Sequence, residues 1–295
     1  MKNTLFKGVA TALITPFNEK NEVDFEAFKK IIDWQIDEGI NALVICGTTG
    51  EKATLNDTEH CEVLKKAVQF ANGRVPIIAG TGSNDTDHAV WMTKEADKIG
   101  CDGMLVCTPY YNKATQSGLV TMYKTIAAVT QKPIIVYNVP SRTGIGIEPE
   151  TYLKIADIEN IVAIKEANGD ISKIVKTLSL LDGKIEMLSG NDDQIVPIMS
   201  LGGTGVISVL SNVAPKKTVQ MAKLCLEGNF KEAAKLQLEL TPLVNALFME
   251  VNPIPVKYAM SQLGFCENKL RLPLTPMEEK NSLVLKELMK KQNLI

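Results

Sequence analysis

The chain has 295 residues, 45% hydrophobic and 22% charged, with a formal net charge of -2; this is an ordinary globular composition with apolar content for a sizeable core, and it argues against disorder. Its charges are mixed, broken only by short pairs such as Lys29-Lys30 and Lys65-Lys66 that read as solvated helix faces, and without a basic stripe a nucleic-acid partner is not expected. No positively charged start leads into a long apolar stretch and no apolar run approaches the roughly 20 residues that span a bilayer, so a cytoplasmic chain away from membranes is expected.

In chain order, short β-branched runs alternate with amphipathic helical stretches. The predicted strands are 8–17, 41–47, 75–82, 102–109, 133–140, 161–168, 185–192 and 205–212. Several are apolar on both faces, as parallel strands covered by helices are. Between them, "DFEAFKKIIDWQIDEG" starts at an Asp24 cap and stops at Gly39, and "DTDHAVWMTKEADKIG" stops at Gly100. Strand-helix units in this order predict an α/β fold, a (β/α)₈ TIM barrel, over an open doubly wound sheet. No GxGxxG follows the first strand, which lowers the dinucleotide fold further. From about residue 214 the pattern becomes wholly helical. We expect a catalytic barrel over residues 1–224 and a C-terminal helical extension over 225–295, packed on the barrel because no low-complexity linker separates them.

The six cysteines are scattered without a CxxC, so neither a disulfide framework nor a zinc site is expected, and they read as buried or inert thiols. Only two histidines exist, His60 and His88, both in helix-like segments. A Ser-His-Asp triad or a multi-histidine metal site is hard to build from them.

Function in a barrel sits where the strands end. Here those ends include "CGTTGE", "TPYYN", "YNVPSRTG", "KEANGD" and "SGND", rich in glycine and hydroxyls and poor in carboxylates. They suit a small oxygenated molecule better than a divalent cation, so no metal is expected. Lys165 interrupts the apolar run of "IVAIKEAN". One reading has its stem snorkel so that it pairs with Glu166 or a loop acid. The other has desolvation lower its pKa until the free amine attacks a ketone and forms a Schiff base. Tyr137, at the end of the preceding strand, is placed to shuttle the protons that such chemistry needs, or is a strand-end aromatic with a satisfied hydroxyl. Thr48 and Thr49 could relay protons or hold a carboxylate, or else cap their turn. Arg142 is one of only three arginines, and its planar fork suits a carboxylate; a surface salt bridge is the alternative. The loop "GTTGE" fails the P-loop spacing. The glycines of "GGTGVIS" (202–208) read as close packing rather than a phosphate site.

Taken together, "GTTGE" (47–51), "YNVPSRTG" (137–144), "IVAIKEANGD" (161–170) and "LSGND" (188–192) resemble the dihydrodipicolinate synthase, or 4-hydroxy-tetrahydrodipicolinate synthase, family over essentially the whole chain. The wider group includes N-acetylneuraminate lyase and other pyruvate-dependent class I aldolases; Arg142 and the Thr-Thr pair of "GTTGE" favour the synthases. The resemblance implies a lyase that condenses pyruvate with L-aspartate 4-semialdehyde, without a cofactor, in diaminopimelate and lysine biosynthesis. It implies that Lys165 carries the pyruvate imine, that Tyr137 shuttles protons, and that Thr48 links Tyr137 to Tyr111, which reaches into a neighbouring subunit. Thr49 would bind the carboxylate of pyruvate and Arg142 that of the semialdehyde, with Gly190 and Ile207 lining the pocket. A homo-oligomer follows, a dimer at least and commonly a tetramer.

Relatives inhibited by lysine bind it at positions matching Lys52, Ala53, Asp57, His60, Asn84, His88 and Tyr110. Sensitive enzymes often have Ser, His and Glu where this chain has Lys52, Asp57 and His88. Losing a carboxylate and gaining an ammonium predicts weak or absent inhibition. Two rivals remain at this level: another pyruvate aldolase, such as a sialic acid or keto-sugar lyase, and a non-catalytic small-molecule sensor on the same barrel.

Overall fold

The apolar runs form eight short strands, β1 (Gly8–Ala12), β2 (Ala42–Ile45), β3 (Ile77–Gly80), β4 (Gly103–Cys107), β5 (Ile134–Asn138), β6 (Ile161–Glu166), β7 (Glu186–Ser189) and β8 (Gly205–Ser208). In this computed structural model, which describes residue 2 and residues 4–295, each strand pairs in parallel with the next and β8 returns to β1, closing a TIM barrel. Each strand lies within its predicted segment and stops short of that segment's C-terminal end. At β2 the cause is local, because Cys46 takes a φ of 55° and so cannot extend the ladder. The residues beyond the strand ends belong to the loops of the mouth.

The helices that follow the strands are α1 (Phe25–Asp37), α2 (Asp57–Ala71), α3 (Thr86–Ile99), α4 (Gln116–Ala127), α5 (Pro140–Thr143), α6 (Pro149–Ala156), α7 (Ile171–Leu181), α8 (Ile195–Ser200) and α9 (Pro215–Leu226). The Asp24 carboxylate accepts the N–H groups of Glu26 and Ala27 at the start of α1, 3.1 and 3.0 Å away. These are donors that the helix itself cannot satisfy. Alternation along the strands divides the core in two. Ala10, Val44, Ile78, Leu105, Ile135, Ala163 and Ile207 fill the barrel's interior. Their neighbours, such as Val9, Leu43, Val136 and Ile164, pack outward against the helices. Lys165 shares its face with Ala163, so it points inward, whereas Glu166 points outward. Gly205 is where β1 and β8 crowd together: a Cβ there would lie 2.1 Å from the Gly8 carbonyl oxygen, and one on Gly203 would lie 2.7 Å from Ile198 Cγ2, so these two glycines serve close packing, whereas Gly202 faces open space and takes a left-handed φ of 96°.

The eighth barrel helix, α9, runs to Leu226. The expected boundary between residues 224 and 225 therefore cuts a continuous helix, whose apolar face, including Cys225, still packs on the core; residues 1 and 3 of the expected barrel span lie outside the described residues. Beyond it, α10 (Phe230–Leu247), α11 (Ile254–Gln262) and α12 (Glu279–Lys291) form the extension. They are packed on the barrel through α9, with α12 lying against α10 and α11. Among the described residues no helix is long and apolar enough to cross a membrane.

Candidate active site

Adjacent strands set the centre of the mouth. The β5–β6 register places Tyr137 directly opposite Lys165 and Asn138 opposite Glu166. Lys165 is buried, and its Nζ lies 4.2 Å from the centre of the Tyr137 ring. It has no ion-pair partner among the described residues. Burial lowers its pKa from 10.5 to about 8, with Arg142 adding to the shift and Asp192 opposing it. The result is an amine with a sizeable free-base fraction near neutral pH.

Glu166 is not its partner. The outward carboxylate accepts hydrogen bonds from Asn138 Nδ2 at 2.8 Å, the Tyr152 hydroxyl at 2.8 Å and the Asn168 N–H at 2.9 Å. Burial nevertheless raises its pKa to about 7. With Asn138 Oδ1 accepting the Ile147 N–H at 3.2 Å, this network ties the ends of β5 and β6 to the helix layer behind them. The two inward side chains thereby gain a stiff backing.

Tyr137 is buried, with Thr48 close to its hydroxyl; burial pushes its pKa up to about 12, partly offset by Arg142 and by Thr48. A phenol that holds its proton, on a ring in contact with the amine and close to a hydroxyl, is placed for proton transfer. Thr49 is also buried, and its Oγ1 is 3.0 Å from Asn252 Nδ2. The Asn252 carbonyl accepts from Arg142 Nη2 at 3.0 Å. One residue of the C-terminal extension thus bridges the loops after β2 and β5. Arg142 has no acidic partner among the described residues, which leaves the rest of its fork free. Tyr137, Arg142, Thr48, Tyr110 and Asn252 line a cavity of about 350 Å³, a size suited to a small metabolite.

Gly190 follows β7, and its N–H donates to the Glu166 carbonyl at 2.7 Å. A Cβ there would lie 2.7 Å from Ala167 Cβ, so only glycine allows this approach. Ile207 is buried in the barrel interior with Tyr137 and Leu188. Tyr111 stands apart. It is 93% exposed, takes a left-handed φ of 69° and does not line the cavity of its own chain.

The residues of the expected effector site gather on one side of the mouth. Lys52 and Ala53 lie in a short 3₁₀ turn, Asp57 and His60 on α2, Asn84 just before α3, His88 on α3, and Tyr110 after β4. Three of their polar groups already have partners, one of them within the set. Asp57 Oδ1 is 2.9 Å from His88 Nε2, the Asn84 carbonyl accepts from Asn112 Nδ2 at 2.9 Å, and the Lys52 ammonium donates to the Gly82 carbonyl. His60 is buried, and desolvation together with nearby Lys52 lowers its pKa to about 3.

Two residues of the mouth escaped the sequence reading. Asp192, inside the quoted "LSGND", accepts the Val209 and Leu210 N–H groups at 2.9 and 2.8 Å and favours the charged form of Lys165. Asn252 carried one faint signal, the Asn-Pro pair that interrupts a helical tail.

The family model described as "Dihydrodipicolinate synthetase family" matches residues 5–292. The chain is 50% identical to a 4-hydroxy-tetrahydrodipicolinate synthase of Acetivibrio thermocellus, with all of both chains covered. It is 44% identical to the solved dihydrodipicolinate synthase of Thermotoga maritima, with a TM-score of 0.97, covering 99% of this chain and 100% of that one. It is 40% identical to an Acinetobacter baumannii dihydrodipicolinate synthase solved with pyruvate, again with a TM-score of 0.97 and coverage of 99% and 100%. The match of residues 5–292, carried on a closed barrel whose strand ends hold Lys165, Tyr137 and Arg142, means that the chain belongs to the dihydrodipicolinate synthetase family.

Proposed function

We propose that this lyase condenses pyruvate with L-aspartate 4-semialdehyde to give 4-hydroxy-tetrahydrodipicolinate, the first committed step of diaminopimelate and lysine biosynthesis. The observation that carries the reading is Lys165, buried without a carboxylate partner and in contact with the Tyr137 ring. The Lys165 amine adds to the keto carbon of pyruvate, and Tyr137 delivers the proton with which the hydroxyl leaves as water. The iminium carbon is then the electron sink, so the adjacent methyl loses a proton and an enamine forms. No separate cofactor is required. The enamine carbon attacks the aldehyde carbon, and the resulting alkoxide takes a proton. The amino group of the former semialdehyde then displaces Lys165 from the imine carbon, which closes the ring and frees the enzyme.

Thr48 links Tyr137 to the Tyr111 that a neighbouring subunit contributes, Thr49 holds the carboxylate of pyruvate, and Arg142 grips that of the semialdehyde with the donors that Asn252 leaves free. Gly190 and Ile207 shape the floor. Tyr111 serves a neighbouring copy, since a tyrosine held outward in a left-handed conformation has no use in its own cavity. The protein is accordingly a homo-oligomer, a dimer at least and a tetramer as the full assembly, working in the cytoplasm on small molecules alone. Catalysis belongs to the barrel, and residues 225–295 support it.

Lysine inhibits weakly or not at all, because the Lys52 ammonium and the Asp57–His88 pair occupy the groups a cationic amino acid would need. In a synthase assay, submillimolar lysine should leave more than half the rate; half-inhibition there would overturn this reading. The central test is borohydride reduction in the presence of pyruvate, which should fix the imine as a stable added mass on the peptide containing Lys165. An unmodified peptide rules the reading out, and a screen of aldehyde acceptors separates the synthase from a sugar-acid lyase.

A further inference from the structure

A second lysine is more deeply buried than Lys165 and lies outside the chemistry. Lys257, on α11, and Glu51, at the end of the "GTTGE" loop, form an ion pair of 2.6 Å with both side chains essentially inaccessible to water. The other Glu51 oxygen accepts the Arg271 N–H at 3.1 Å. Beneath the pair lies the Phe17 ring, 4.0 Å from Lys257 Nζ and 4.4 Å from Arg271 Cζ. A buried ion pair is a poor source of net stability, because desolvation of both charges offsets their attraction; what it confers is a fixed geometry.

That geometry bears on the mouth. The Glu51 N–H donates to the Thr48 carbonyl at 3.2 Å, which closes the turn that carries Thr49. The Lys257 N–H donates to the Pro253 carbonyl at 2.9 Å, which fixes the start of α11 beside Asn252. Between these two turns runs the Asn252–Thr49 hydrogen bond, and from the Asn252 carbonyl the link continues to Arg142. The ion pair and the amide bridge are therefore two rungs joining the same pair of segments.

We infer that Lys257 is a positioning residue for this reaction: its ion pair with Glu51 clamps α11 to the "GTTGE" loop, so that Asn252 holds Thr49 and Arg142 at the spacing that receives the two substrate carboxylates. The C-terminal extension is on this account part of the binding site. The inference rests on the proposed imine reaction at Lys165.

The test is pyruvate-dependent borohydride trapping on the full chain, read as the pyruvate concentration for half-maximal labelling and the labelling rate at saturation. The variants are the double Glu51→Gln, Lys257→Met, which removes both charges without stranding either, and Asn252→Ala, which keeps the pair. Both should raise the half-maximal concentration at least fivefold while the saturated rate stays within twofold of the parent. A variant with a lowered melting temperature and an unchanged half-maximal concentration would make the pair merely structural and overturn the inference. Should the double variant not fold, Lys257→Arg, which keeps the charge and alters the spacing of the pair, takes its place under the same criterion, and an unchanged half-maximal concentration in it or in Asn252→Ala also overturns the inference. A parent protein that takes no label on Lys165 would instead refute the reaction, so the two failures are distinct.

Discussion

Two buried lysines divide the labour of this molecule. Lys165 at the barrel mouth and Lys257 at the seam with the extension each lie about one ring-contact from an aromatic face, at 4.2 and 4.0 Å. Burial lowers the pKa of both. The difference is the partner: Lys257 has the Glu51 carboxylate at 2.6 Å, and Lys165 has none so close. A carboxylate in contact keeps an ammonium charged and so abolishes its nucleophilicity, whereas desolvation without one leaves a reactive amine. Burial alone therefore does not identify a catalytic lysine; burial without a counter-ion does.

Exchanging each lysine for methionine should separate the two roles. Lys165→Met is expected to lose about three orders of magnitude or more in turnover, upwards of 4 kcal/mol of barrier, together with all pyruvate-dependent labelling. It should not lower the melting temperature at pH 7, because an unpaired buried amine costs the fold. A stable variant with substantial turnover would erase the distinction. Lys257→Met should still take the label on Lys165, though only at higher pyruvate, and should cost about 3 to 5 kcal/mol of unfolding free energy by stranding the Glu51 charge. Chemical denaturation measures this, and a loss near zero would mean that Glu51 finds another partner.

Arg142→Ala tests whether the mouth distinguishes its two substrates. It should lower use of the semialdehyde by about 100-fold, the worth of a charged two-point contact of about 3 kcal/mol, while the pyruvate adduct still forms. Equal kinetics in variant and parent would remove the reason for preferring a synthase.

The pH dependence sharpens the comparison with the smallest effect. With a pKa of about 8, the labelling rate at low pyruvate should climb about tenfold per unit below that value and level off above it. The same depressed pKa makes the folded state bind fewer protons than the unfolded chain between about 8 and 10.5. Stability contributed by Lys165 therefore rises with pH across that window, and its cost is complete below it. A labelling rate that keeps climbing tenfold per unit through pH 9 without levelling off would mean that a counter-ion reaches Lys165 in solution.

The strand runs, their glycine and aspartate stops and the inward lysine were legible because period and punctuation are local properties. Glu166 shows where that legibility ends. Adjacent to Lys165, it read as a possible partner, yet strand alternation turns it to the opposite face, where Asn138 and Tyr152 receive it. The expected boundary between residues 224 and 225 falls inside α9, which has no breaker before Leu226. Asn252, Asp192 and the Glu51–Lys257 pair were invisible as a set, since their partners lie far away in the chain.

By itself the sequence determined that the chain forms a barrel, that one lysine would face its interior from the sixth strand, and that a tyrosine would stand beside it. These follow from a two-residue side-chain period and from sequential parallel strands being neighbours. Only the tertiary structure decided which buried lysine is left unpaired, and that a residue of the extension ties Thr49 to Arg142. Charge compensation depends on distances between segments some 200 residues apart, as with Glu51 and Lys257, and no local pattern encodes them.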